Sequence, residues 1–344
     1  MSRNTKLRLR LTALAAVLAA AIAFPAVFSS ASSLNVAVLT LMYVGLATSW
    51  NIVGGYTGYI SLGHAAFFGL GAYGLGLTIE HLGIHGGMTP FLLVPAIGVV
   101  VGVLAIPVGW IAFRTRQAAF AIVTIAGMFM VQILATNLTT LTHGSQGLGF
   151  PVPPWSGQYF DKPFYYAMLV LAVLAILVSW AIRRSSFGLG LLAIRDDEDK
   201  AQSVGVPTAF YKLAAFALSA GLVAMIGGVY GYYVTYVYPQ FAVDPLISIA
   251  IVLMAWLGGA GTLLGPVIGA LILEPAQLEL SYSVSNTQLY LVFYAAIFLV
   301  IILVLPKGIV PSLSERISSR RARREGPPPA RAKPEIASPE ATSP

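Results

Sequence analysis

Four stretches of this chain carry no Asp, Glu, Lys or Arg: Leu11 to Ile79, His81 to Phe113, Gln117 to Phe160 and Leu213 to Val243. Each exceeds the roughly 20 apolar residues needed to cross a bilayer core, and most have room for two crossings. Hydrocarbon leaves no water for backbone N–H and C=O groups, so spanning segments of this kind are expected to be helices. Only 10% of the 344 residues are charged, 57% are hydrophobic and the mean hydropathy is +0.81. Soluble domains carry about 25% charge, so a soluble globular protein is excluded. There is no cysteine, hence no disulfide and no thiol chemistry.

A formal charge of +7 invites a nucleic-acid reading, but the distribution of the charge opposes it. Basic residues collect at Arg3, Lys6, Arg8 and Arg10, at Arg114 and Arg116, in a central loop, and from Lys307 to Lys333. That is the pattern of Lys and Arg excess in cytoplasmic segments of a membrane protein, and no nucleic-acid partner is expected.

Apolar runs and glycine or proline breaks predict crossings near 11–31, 34–54, 60–80, 89–113, 117–137, 164–182, 210–235, 244–258, 262–280 and 288–305. The expected fold is all-α: a polytopic membrane protein of about ten transmembrane or partly re-entrant helices, with N and C termini cytoplasmic. Only Lys162, of the 20 Lys and Arg, then falls outside. Residues 1–33 read as a basic segment and first apolar helix, signal-like in layout but more simply retained. Residues 34–310 form the main unit. Residues 311–344, with Arg320-Arg321-Ala322-Arg323-Arg324, are expected to be a disordered cytoplasmic tail whose basic cluster touches anionic membrane lipid. The external loop 138–163, rich in glycine, proline and aromatics, is read as a cap over the helices rather than a docking surface.

Two glycine-rich segments stand out. The first, Trp50 to Tyr73, contains Asn51, Gly54, Gly55, Gly58, Ser61, Gly63 and His64. Glycines this dense allow close helix approach or an unwound stretch beside a cavity. Asn51, Ser61 and His64 are polar groups that hydrocarbon does not tolerate unpaired, so they face the bundle interior or an aqueous path. The plainer alternative, that they staple helices together, is favoured for His64. The second segment, with Gly258, Gly259, Gly261 and Gly265, loosely echoes the first and should break the run from Asp244 to Glu279 into two short segments. Both are translocation-path candidates, although shared packing needs explain them about as well. Neither is a nucleotide-binding glycine loop, because no Lys-Ser or Lys-Thr follows. Asp244 is read as a helix cap and Glu274 as a deeper acid paired with a polar neighbour. The four histidines are too scattered for a metal site.

Between two apolar runs lies the polar insert 183–209, with six consecutive charges from Arg195 to Lys200. Helix-forming residues run from Leu189 to Ser203, and Gly205 with Pro207 ends them. One continuous amphipathic helix is predicted, with Leu192, Arg195, Asp199 and Gln202 on one face and Ala193, Asp197, Lys200 and Val204 on another. Six adjacent charges are usually a solvated run. Here the next helix begins at Lys212 without a flexible linker, which favours a handle that passes force from a soluble partner.

These residues together resemble a known family, the permeases of branched-chain amino acid ABC transporters, in the class that pairs with a homologous second permease. The resemblance rests on Gly54-Gly55, Gly58 and Ser61-Leu62-Gly63-His64-Ala65-Ala66-Phe67; on Arg183, Ser186-Phe187-Gly188, Ala193 to Glu198, Ala201 and Gly205-Val206; on Tyr211 to Ala220; on the Gly258 segment; and on Pro306-Lys307-Gly308-Ile309. It covers roughly Asn35 to Val310. It implies a multi-pass inner-membrane subunit that is not itself an enzyme and binds no cofactor, with ATP and Mg in partner subunits. The implied partners are a second permease, two cytoplasmic ABC ATPases and an extracytoplasmic solute-binding protein. Asp199-Lys200-Ala201-Gln202-Ser203-Val204-Gly205 is similar to the Glu-Ala-Ala-x-x-x-Gly pattern of importer coupling segments, with Asp and Lys replacing the first two residues. That similarity makes Arg195, Asp196, Asp197, Glu198, Asp199, Ala201 and Gly205 the expected ATPase-coupling residues. Related members carry urea, short amides and other small carboxylates, so these are alternative solutes. A channel, or a membrane-embedded enzyme using Glu274 or His64, is the rival of another class.

Overall fold

In the computed structural model, residues 3–283 and 308–313 are described, together with Ala296 and Leu299. The crossing expected near 288–305 and most of the tail lie outside the described residues. Among the described residues the chain is almost wholly helical: α1 (Arg3–Val27), α2 (Ala31–Val53), α3 (His64–His81), α4 (Thr89–Ala112), α5 (Gln117–Asn137), α6 (Thr139–Thr142), α7 (Asp161–Arg184), α8 (Ser186–Asp196), α9 (Glu198–Ser203), α10 (Thr208–Val234), α11 (Pro239–Ala242), α12 (Pro245–Gly258) and α13 (Gly265–Ser283). Six helical stretches among the described residues are long and apolar enough to cross a membrane. The chain is a multi-pass membrane protein.

Small residues set the tightest packing. Gly98 and Gly102, one turn apart on α4, lie against Ala217 and Gly221 on α10, so closely that a Cβ on Gly98 would stand 3.0 Å from the Gly221 carbonyl oxygen. Without a hydrophobic drive between helices in lipid, this close backbone approach supplies the association. Proline 25 of α1 has no N–H to give the Ala21 carbonyl, and the Tyr165 hydroxyl on α7 donates to that oxygen instead, at 2.6 Å.

Hydrogen bonds sort the loops into two ends. At one end Asn35 of α2 donates to the Tyr233 hydroxyl of α10, which donates to Asp161 of α7 (2.7 and 2.8 Å). The loop after α5 belongs there too: His143 contacts Glu80 at the end of α3, and β1 (Leu148–Gly149) pairs antiparallel with β2 (Tyr236–Val237). Leu148 and Phe150 are buried and Trp155 packs near Phe91 and Phe164, so this loop caps the bundle. At the opposite end sit the 113–116 loop, α8, α9 and the start of α10, joined by Arg116–Asp199 and Lys212–Glu198.

The expected break inside 244–279 is found. Asp244 caps α12 by accepting the Leu246 N–H at 2.8 Å, α12 ends at Gly258, and α13 starts at Gly265. The single helix predicted over Leu189–Ser203 is not: α8 begins three residues earlier and stops at Asp196, and α9 starts at Glu198. Asp197 is extended (φ −165°, ψ 108°) and its side chain accepts the Lys200 N–H, so a short acid prefers capping a new helix to continuing the old one. The two faces drawn on one continuous helix do not survive this break.

Candidate functional site

After α2 the chain unwinds from Gly54 to Gly63 and enters α3 at His64. Backbone groups stranded by the unwinding find side chains. Trp50 donates its indole N–H to the Ser61 carbonyl (2.7 Å), Leu62 N–H reaches Thr124 Oγ1 (3.1 Å) on α5, and Ala65 N–H reaches Ser248 Oγ (2.9 Å) on α12. His64 is fully buried between Ser61 Oγ and Ser219 Oγ, 2.9 Å from each, and Ser219 donates onward to the Ser49 carbonyl at 2.7 Å. Through Ser219 these bonds tie α3 to α10 and to α2.

The two glycine segments, about 200 residues apart, meet. Asn51 accepts the Gly261 N–H at 2.7 Å and donates to the Thr262 carbonyl at 3.0 Å. A Cβ on Gly55 would lie 1.9 Å from Asn51 Oδ1 and 2.6 Å from the Gly261 nitrogen, which is why the position holds glycine. Gly54 lies under the Trp50 ring, Gly63 against Thr124, and Gly58 beside Arg195. Gly258 touches Gly265, and Thr262 Oγ1 joins the Gly259 carbonyl to the Gly265 N–H (2.7 and 2.9 Å). Gly308, from the Pro-Lys-Gly-Ile motif, lies against Gly259.

The central polar segment closes over this meeting point. Arg195 of α8 donates to the Gly55 carbonyl at 2.7 Å, and Arg183 at the end of α7 donates to the Gly261 carbonyl at 2.9 Å. Gly261 has φ +81°, and a Cβ there would stand 1.9 Å from Arg195 Nη1. The arginine therefore sits between both breaks. Next to it, Glu198 at the start of α9 accepts from the Tyr59 hydroxyl and pairs with Lys212 of α10 at 2.5 Å. Lys212 is 4% exposed, with its ammonium 4.6 Å from the centre of the Tyr59 ring and 5.3 Å from that of Phe113. A lysine this deep is tolerated because a carboxylate and two ring faces replace its water. Burial, then the Glu198 hydrogen bond, raises the Tyr59 pKa, keeping the phenol a donor.

Outside this core the polar segment faces solvent. Arg116 makes a two-pronged contact with Asp199 (2.8 and 3.1 Å), both side chains largely in water, which orients α9 more than it stabilises it. Asp196, Gln202, Ser203 and Gly205 are exposed, Val204 is 81% exposed, and Ala201 turns inward. Gly205 at φ +92° makes the turn that projects this tip. Asp197 is held below the usual carboxylate range by the Lys200 backbone N–H and then by its ammonium.

Ser61 and Gly63 also border a cavity of about 530 Å³ between α3, α4, α5 and α10, walled by Leu104, Val108, Met130 and other apolar groups. A zwitterion would lose its hydration there without replacement, so the cavity suits an apolar occupant. Glu274 on α13 is buried close enough to Tyr230 to interact with it electrostatically, and its Oε2 has no hydrogen-bond partner among the described residues. The Tyr59–Glu198–Lys212 contact was not foreseen from the sequence. The signal was a lysine just inside the predicted helix following the charge run.

Residues 32–302 match the family described as "Branched-chain amino acid transport system / permease component". The high-affinity branched-chain amino acid transport system permease protein LivM of Salmonella typhimurium is 25% identical over 342 residues, covering 91% of this chain and 78% of its own. LivH of the same organism is 26% identical over 282 residues, covering 78% of this chain and 91% of its own. The autoinducer 2 import system permease protein LsrC of Salmonella paratyphi B is 29% identical over 105 residues, 29% of this chain and 30% of its own. No solved structure matches. The family match spans most of the chain and contains both glycine breaks and the polar segment joining them: the chain belongs to the family of permease components of branched-chain amino acid transport systems.

Proposed function

We propose that this chain is a permease subunit of an ATP-driven importer for branched-chain amino acids in the bacterial inner membrane. A binding protein delivers the solute on the outer side, a second homologous permease completes the path, and two cytoplasmic ATPases supply the energy. ATP and Mg²⁺ belong to those ATPases. The observation that carries the reading is the α8–α9 pair: a polar helical segment outside the apolar bundle, anchored by Arg195 and Glu198 on its inner face and presenting Asp196 and the Lys200–Gly205 tip to solvent. An isolated channel has no use for an anchored projection of this kind. That LivM and LivH each resemble this chain over most of its length supports a paired, homologous partner.

The same end carries Arg114, Arg116, Arg183, Arg184, Arg195, Lys200 and Lys212, whereas the opposite end carries Lys162. By the positive-inside rule the α8–α9 end is cytoplasmic. On this reading the chain has about ten crossings and both termini cytoplasmic, with 1–33 preceding and 311–344 trailing the 34–310 permease unit. The test is mild-detergent capture of the tagged chain from membranes in which its partners are expressed. An ATPase should co-purify, and Val204→Asp should lower its recovery about tenfold with membrane insertion unchanged. A clean preparation of the wild-type chain without ATPase would overturn the reading.

A further inference from the structure

The glycine breaks are the natural candidates for lining a path, yet several of their polar contacts point to one another and to the polar segment. Asn51 ties the second break to the end of α2. Arg195 holds the Gly55 carbonyl while standing where a Gly261 side chain would be. Arg183 holds the Gly261 carbonyl. Glu198 holds Tyr59 in the first break and Lys212 at the foot of α10. Arg195, Arg183 and Glu198 lie in or next to the α8–α9 segment, and the Gly55, Tyr59 and Gly261 they hold lie in the two connections between helices, which Asn51 at the end of α2 ties to each other. The helices that border the first break, α2 and α3, are tied to α10 through His64 and Ser219.

We infer that Arg195 is the positioning residue that gears the α8–α9 segment to both glycine breaks at once. Displacement of α9 by an ATPase is then delivered to the ends of α2 and α3 and of α12 and α13 together, rather than to α10 alone. Arg183 and Asn51 carry the link to the second break, and the Tyr59–Glu198–Lys212 cluster carries it to the first. A guanidinium suits the hub: always charged, with donors held in a rigid plane, it fixes a carbonyl in a way a single ammonium cannot. The inference rests on the importer reading, because it needs an ATPase to move α9.

The chain has no cysteine, so single reporters can be placed at Ile60 in the first break and at Leu264 in the second. In the complex of permeases and ATPases, trapping ATP with vanadate should change the thiol-labelling rate of both Ile60→Cys and Leu264→Cys. In Arg195→Met complexes, with ATPase recovery measured alongside, both reporters should lose their nucleotide response and uptake should fall about tenfold. Arg195→Lys should recover part of the uptake. Tyr59→Phe, which removes one hydroxyl and carries little folding risk, should weaken the Ile60 response and leave that of Leu264 in place, lowering uptake about fivefold. Full uptake with both responses retained in Arg195→Met would overturn the inference, as would an unchanged Ile60 response in Tyr59→Phe should Arg195→Met fail to assemble. Failure of the wild-type chain to bind an ATPase would instead remove the importer reading beneath it.

Discussion

Asn51 holds two loops with one amide. Its oxygen and nitrogen serve the N–H of Gly261 and the carbonyl of Thr262 in a fully buried position. Truncating it strands a backbone donor and a backbone acceptor, at about 1–3 kcal/mol each. Asn51→Ala should therefore lower the thermal unfolding midpoint in detergent, and Asn51→Asp, which accepts but cannot donate, should fall between it and the wild type. The need for a partner was legible in the sequence, because an amide in an apolar run must be satisfied. The partner was not, because it lies some 210 positions away and backbone atoms carry no sequence signature. The same holds for Arg195, which is exposed as its charge run suggested, while the Gly55 carbonyl that its guanidinium holds carries no such signature. His64 was the reverse case, its plainer reading as a helix staple matching the two serines that flank it.

Helix positions were the most readable level. The segments read as crossings within the described residues are helices α1–α5, α7, α10, α12 and α13, since apolar runs and glycine breaks set both extent and end, and six helical stretches among them are long and apolar enough to cross a membrane. The failure was at Asp197, where strong helix formers on both sides concealed a cap. Its carboxyl is held below the usual range by the Lys200 N–H and ammonium, so its contribution to α9 is present above the unfolded pKa of about 3.9 and is lost as pH falls through the lower folded value. Amide hydrogen exchange across Glu198–Ser203, taken relative to the intrinsic exchange rate at each pH, should thus stay slow at neutral pH and become fast below about pH 4. Asp197→Ala should bring the fast exchange to neutral pH, and Asp197→Asn, still a good cap, should not.

At the scale of the molecule, contacts divide the chain into a sparsely charged end, closed by β1–β2 and the Asn35–Tyr233–Asp161 chain, and a charge-rich end built on α8 and α9. Charge counting alone anticipated this polarity, whereas the convergence of both glycine breaks on the charged end required three-dimensional contacts. Cysteines placed at exposed sites in intact cells should follow it: Gln240→Cys should react with an impermeant reagent from outside, and Val204→Cys should react after the membrane is opened. Equal outside labelling at Val204 would invert the assignment.

The grips of Arg195, Arg183 and Asn51 all land on main-chain carbonyls. A side chain that holds a carbonyl is indifferent to which residue bears it, provided the chain can come close enough. Most of the gripped loop sequence is accordingly free to drift, while the gripping side chains are not. Genetic suppressors of a defective grip should then arise by supplying a new donor elsewhere, and seldom by altering the loop being held.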